Sequence, residues 1–219
     1  MPANDQTGVA GERRKLLWGA AIALPIAAAA WLALFWLTPP VASAAEPLAR
    51  LVYALNWIGV AVLLTFLTAI EAVSHERLFT PSIDPLAGRE SARMRINLRY
   101  LQHTLEQLLV FIPGLLLLAW YSSDGAALRA VTATALVWIA LRIVFWVGYH
   151  ISPSLRTPGL VGMAMSMVAL LYCVARFGYE LAGPLGAAVP LVLFAGAEAF
   201  LVWISGRPSQ RKLPGQAGQ

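Results

Sequence analysis

The sequence predicts an all-α integral membrane protein with six spans. Three observations carry that expectation. The 219 residues are 59% hydrophobic and only 12% charged, whereas a soluble domain is about a quarter charged. Apolar stretches recur along the chain, most close to the about 20 residues that a bilayer core requires of a helix. The basic residues gather in alternate loops, as the positive-inside bias demands. A secreted enzyme, a nucleic-acid binder and a transmembrane β-barrel all fit poorly. The stretches are rich in Leu, Ala and Val and lack the alternation of barrel strands.

The spans follow one another with clear punctuation. Residues 16–37 form the first, ended by Pro39-Pro40. Ala42-Ser43-Ala44 after it resembles a leader cleavage site, but the apolar run exceeds the roughly 7–15 residues of a signal core, so a retained helix is expected. Residues 51–70 form the second span. The longest loop, from about 74 to 96, contains Thr80-Pro81, Asp84-Pro85 and Gly88. The third helix is expected to start near Asn97 and to include the uncharged run 107–123. Ser122-Ser123-Asp124-Gly125 makes an outer turn. The fourth span, 130–151, contains one charge, Arg142. The fifth, 157–175, opens on Thr157 as an N-cap with Pro158 at the first helical position. Gly183-Pro184 marks the separation of the fifth span from the sixth, 181–204, which holds Glu198. The segments 1–12 and 206–219 read as polar, disordered tails.

Charge placement orients the chain. Arg13, Arg14, Lys15, Arg77, Arg89, Arg93, Arg95, Arg99, Arg156, Arg207, Arg211 and Lys212 fall on one side, and Arg50, Arg129 and Arg176 on the other. Twelve against three places both termini, and the second and fourth loops, in the cytoplasm. The expected location is the inner membrane of a bacterium.

Besides Glu198, two charges, Glu106 and Arg142, lie inside spans, where each costs about 2.5–3.5 kcal/mol on insertion scales. Counting nine residues from the expected cytoplasmic ends puts both Glu106 and Arg142 roughly 13 Å deep. Opposite charges at one depth are expected to meet each other or a common ligand. Arg99, Gln102, His103 and Glu106 fall at i, i+3, i+4 and i+7, one face of a helix. Arg142 and Tyr149 share a face of the next, with Phe145 or Trp146 between them, and Arg156 precedes the fifth helix. A cleft holding three arginines and one carboxylate suits an anionic ligand, with Glu106 able to accept an ammonium. Arg156 beside a helix N-terminus would favour a thiolate over a thiol. His75, His103 and His150 show no metal-ligand spacing, and no metal site is expected.

The pattern Arg99-x-x-Gln102-His103-Thr104-Leu105-Glu106 resembles the second-helix signature of the MAPEG family, the membrane-associated proteins in eicosanoid and glutathione metabolism. Arg142-x6-Tyr149, with Gly148 before the Tyr, resembles the third-helix signature, and Arg156 matches the arginine of the following loop. The resemblance covers about residues 51–177. It implies a four-helix bundle assembled as a homotrimer, with one added helix at each end: residues 1–50 as tail and first added helix, 51–177 as bundle, 178–219 as second added helix and tail. It further implies glutathione as co-substrate, bound through Arg99, Gln102, His103, Glu106, Arg142 and Tyr149. Arg156 matches the position that stabilises the thiolate. The activity implied is that of a transferase or peroxidase, on lipophilic electrophiles or lipid hydroperoxides dissolved in the bilayer. The sequence departs from the family at His103, where Asn is usual, and at Phe145, where Tyr is frequent. A non-catalytic lipid-binding relative is therefore a second reading. A small transporter is a third, opposed by the apolar outer halves of the third and fourth helices.

Overall fold

Every regular element among the described residues is helical. The computed structural model describes residues 3–42 and 46–206. Five helices are long and apolar enough to cross a membrane. They are α1 (Ala3–Leu37), α2 (Pro47–Phe79), α3 (Ala92–Tyr121), α4 (Arg129–Ile151) and α5 (Thr157–Ser205). The chain is thus a helical integral membrane protein, in contact with a lipid bilayer. Ser43 and Ala44 of the leader-like triplet lie outside the described residues, as do Arg207, Arg211 and Lys212.

The helices overrun the apolar stretches, and this corrects three expectations. Residues 74–79 continue α2 instead of beginning a loop, and α3 starts at Ala92, not near Asn97. Residues 3–12 extend α1 and are not a disordered tail. An uncharged run measures the membrane that a helix crosses, not the helix itself. Polar residues outside the hydrocarbon can remain helical when their termini are capped. Ser91 supplies such a cap: its Oγ accepts a hydrogen bond from the Met94 amide at 2.9 Å.

One buried carboxylate ties this corner together. Glu76, on the last turns of α2, accepts from Ser91 Oγ at 2.7 Å and from Arg93 Nε at 2.5 Å. Thr80 Oγ1 donates back to the Glu76 carbonyl at 2.6 Å and accepts from the Ser82 amide. Replacing Glu76 with Ala is expected to cost about 1–3 kcal/mol, because Ser91 loses an ionised partner in a sparsely hydrated site. Thermal melting in detergent checks this; an unchanged midpoint would show that Glu76 does not hold the corner.

The described residues up to 170 form one compact unit. Its main core joins α2, α3 and α4 through Ala54, Ile58, Leu108, Leu115, Val131 and Ile139, with the Phe111 and Trp138 rings stacked at 4.3 Å. Small residues on α2 (Ala54, Ala61, both fully buried) allow close helix approach, the usual basis of helix association in lipid. A π-helical turn interrupts α2 at Val62–Leu67. There Thr65 Oγ1 donates to the Ala61 carbonyl and Thr68 Oγ1 to that of Leu63. At the turn between α3 and α4, Asp124 Oδ1 accepts from the Ala127 amide at 2.8 Å, which holds its carboxyl below the ordinary value. A second core, of Ala27, Val137 and Val161, joins α1 to α4 and the start of α5.

The described residues from 171 to 206 form the second unit. Here the backbone leaves helical geometry at Ala182 (φ −146°, ψ 25°) and Gly183 (φ 62°, ψ −149°). Gly183 occupies a region open essentially to glycine alone. The chain bends so sharply that a Cβ on Gly178 would lie 2.2 Å from the Gly186 carbonyl oxygen. Arg176 meets Glu180 at 3.4 Å.

Candidate functional site

A cavity of about 350 Å³ opens in the first unit, within the size range of small-molecule sites. Four residues singled out by the sequence line it: His103 and Glu106 from α3, Arg142 from α4, and Arg156 from the 3₁₀ turn Pro153–Arg156. Gln107, Phe145 and Gly159 line it too, with Leu16, Leu160 and Met163 as an apolar wall.

Arg142 is the most unusual group in this wall. It is fully buried, at 0% exposure. Its Nη2 donates to Thr104 Oγ1 at 2.6 Å and reaches the Tyr100 carbonyl at 3.5 Å. Nε and Nη1 have no hydrogen-bond partner. The guanidinium lies 4.5 Å from the Phe145 ring centroid and 5.0 Å from that of Tyr100. Aromatic faces attract a cation, but they do not satisfy its N–H groups. A buried cation short of partners is primed for an anion.

The expected Glu106–Arg142 pair is not formed. Glu106 is held by its own helix: Gln102 Nε2 donates to Oε1 at 3.0 Å, and His103 Nδ1 lies 3.1 Å from Oε2. These are i+3 and i+4 neighbours, which meet on a helix surface without any help from packing. The corrected start of α3 also moves Glu106 to 14 residues from the helix end, roughly 21 Å along the axis. The two charges share the cavity rather than a bond.

The remaining predicted residues, Gln102, Tyr149 and Arg99, are not among its lining residues. Gln102 is joined through Glu106. Tyr149 stacks on Phe145 with centroids 5.6 Å apart, one turn further along α4. Arg99 is exposed one turn before His103 on α3. The side chains of His103 and Glu106 are themselves 47% and 54% exposed, so the described residues cover this face of α3 only in part.

Among the lining residues that sequence reading missed are Gln107 and Leu16. Gln107 donates from Nε2 to the Gly159 carbonyl at 2.8 Å, while its buried Oε1 has no partner. Its place next to Glu106 was a signal, but an adjacent residue points off the predicted face. Leu16 carries no chemical signature, and only the path of α1 brings it here. Phe145, weighed as a departure, covers Arg142 and sits against Gly159, where a Cβ would come within 2.7 Å of its ring.

The fold and site define a helical membrane protein with a cation-lined cavity between α3, α4 and the start of α5. The MAPEG family model matches residues 51–179. That is more than half of the chain, which belongs to the MAPEG family, whose members are membrane-associated proteins of eicosanoid and glutathione metabolism. No curated protein and no solved structure matches it.

Proposed function

We propose that this protein is a glutathione-dependent transferase or peroxidase that works on lipophilic electrophiles or lipid hydroperoxides in the membrane. The observation that carries the reading is the buried Arg142, with two unpartnered nitrogens in the wall of a cavity that also presents Glu106 and Arg156. Glutathione offers matching chemistry: two carboxylates for guanidinium groups and an ammonium for Glu106. Arg99, Gln102, His103 and Tyr149 are the further binding residues in this reading. Arg156 precedes the N-terminus of α5 and would stabilise the thiolate. In transfer, the thiolate sulfur forms a bond to the electrophilic carbon, and either a leaving group departs with its electron pair or, at an α,β-unsaturated carbonyl, the alkene pair moves towards the carbonyl and a proton completes the addition. In peroxide reduction, two glutathiones become a disulfide while the hydroperoxide becomes an alcohol and water.

Assembly follows from the same face. Glu106, His103, Gln102 and Arg99 are exposed on a helix that crosses the bilayer, where exposed polar groups are costly. A neighbouring copy in a homotrimer would cover them. The 49 residues of α5 would span about 74 Å if straight, over twice a hydrocarbon core of about 30 Å. With the break at Ala182–Gly183, this supports two crossings and six spans in all. Residues 51–177 would then form the family bundle, flanked by 1–50 and 178–219. The distribution of basic residues supports an inner-membrane orientation with both termini and the cavity mouth cytoplasmic.

Calorimetric titration of the detergent-solubilised protein with glutathione tests the reading. Saturable heat with about one site per chain or fewer is expected, lost in Arg142→Met. No saturable binding at millimolar glutathione would refute it. Binding without turnover would favour the non-catalytic lipid-binding alternative, for which the His103 and Phe145 departures speak.

A further inference from the structure

We propose that α1, which lies outside the matched family region, supplies a wall of the site, and that its Leu16 sets how bulky an electrophile can reach the thiol; the role in selectivity rests on the enzymatic reading above. Three contacts along α1 fix the helix. Trp31 Nε1 donates to Thr134 Oγ1 on α4 at 2.9 Å. One turn earlier, Ala27 is buried with Val137 and Val161. Gly19 then meets the first residue of α5 so closely that a Cβ would stand 2.6 Å from Thr157 Oγ1. A side chain there would push α1 away, so the approach depends on glycine at this position. Leu16 is three residues before Gly19, on the same helical face, and it lines the cavity.

The cavity is divided chemically. His103, Glu106, Gln107 and Arg142, from α3 and α4, form its polar side. Leu16, Leu160 and Met163 form its apolar side. Arg156 and Thr157 line the same cavity, and Thr157 is the residue that Gly19, three residues from Leu16 on α1, touches. A thiolate held near Arg156 would therefore face Leu16 and Leu160. An electrophile carrying a hydrocarbon chain has to place that chain against this wall to bring its reactive carbon to the sulfur. Apolar pockets discriminate by volume, and filling or emptying such a wall changes relative rates by about 10–200-fold per step in size.

The test has a structural arm and a kinetic arm. In a Cys173→Ala background, Leu16→Cys and Met163→Cys are combined and treated with a short bis-maleimide. An intramolecular cross-link is expected. The control replaces Leu16→Cys with Trp18→Cys, since Trp18 is 65% exposed and two residues round the helix from Leu16; it should not cross-link. Failure of the first pair, or equal yield from both, overturns the placement of α1. In the kinetic arm, Leu16→Trp and Leu16→Ala are assayed with a short and a long-chain α,β-unsaturated aldehyde. Leu16→Trp should lower kcat/KM for the long substrate at least about tenfold relative to the short one, and Leu16→Ala should move the ratio the other way. A cross-link with unmoved ratios overturns the selectivity role alone. If the unmodified protein turns over neither aldehyde while still failing with hydroperoxides, the enzymatic reading falls and the selectivity role with it.

Discussion

Arg156→Ala is expected to slow glutathione conjugation about ten- to hundredfold while weakening glutathione binding much less. A preorganised donor aimed at developing or resident negative charge is worth about 10²–10³ in rate when fully enclosed. Arg156 is exposed at the cavity mouth, so solvent screening reduces that figure. The interaction is strongest with the ionised thiol, so its loss raises the pKa of the bound thiol toward the about 8.5 of a free cysteine. The variant's rate should consequently recover as pH rises, its profile displaced in the alkaline direction. Arg156→Lys should retain part of the rate, since the charge survives but the planar fork does not. The measurement is kcat and KM across pH for the three proteins. An equal loss at every pH would assign Arg156 to folding or positioning instead.

Arg142→Met is expected to separate stability from binding. The buried guanidinium leaves Nε and Nη1 without partners, and desolvating an ion costs several kcal/mol even after relaxation. An uncharged side chain of similar length removes that penalty. It forfeits cation–π attraction to Tyr100 and Phe145, worth about 0.5–2 kcal/mol each. Thr104 Oγ1 is not orphaned, because it still donates to the Tyr100 carbonyl at 2.7 Å. The ligand-free variant should thus melt no lower than the unmodified protein, and its stabilisation by glutathione should vanish. A charged hydrogen bond contributes about 1.5–3 kcal/mol, or roughly ten- to a hundredfold in affinity. A closed Glu106–Arg142 pair would behave oppositely: breaking it would cost about 3–5 kcal/mol without ligand. A fall of that size in the ligand-free protein would contradict the arrangement described here.

Much of this site was legible because its signals are spacings within single helices. Arg99 to Glu106 and Arg142 to Tyr149 each repeat at seven residues, and helical geometry alone aligns them. Which side chains then meet across helices was not legible. Equal depth suggested that Glu106 would reach Arg142, but depth says nothing of direction, and Gln102 and His103 capture the carboxylate locally. Helix ends were misjudged for a related reason. The polar end of α2 remains helical, with Glu76 near its close buried at a joint with Ser91 and Arg93, contacts made across a loop. Leu16 was invisible because an apolar residue in an apolar span announces nothing. Its place depends on Gly19, whose missing Cβ lets α1 close on Thr157.

The central claim is that the cavity holds glutathione with its thiol ionised. The thiolate absorbs in the near ultraviolet and the thiol does not, so a difference spectrum of protein with glutathione against the separate components reads the ionisation directly. The unmodified protein should show thiolate absorbance at neutral pH, saturating with glutathione and absent in Arg156→Ala. Saturable glutathione binding with no thiolate absorbance below the pH at which free glutathione itself ionises would contradict the account.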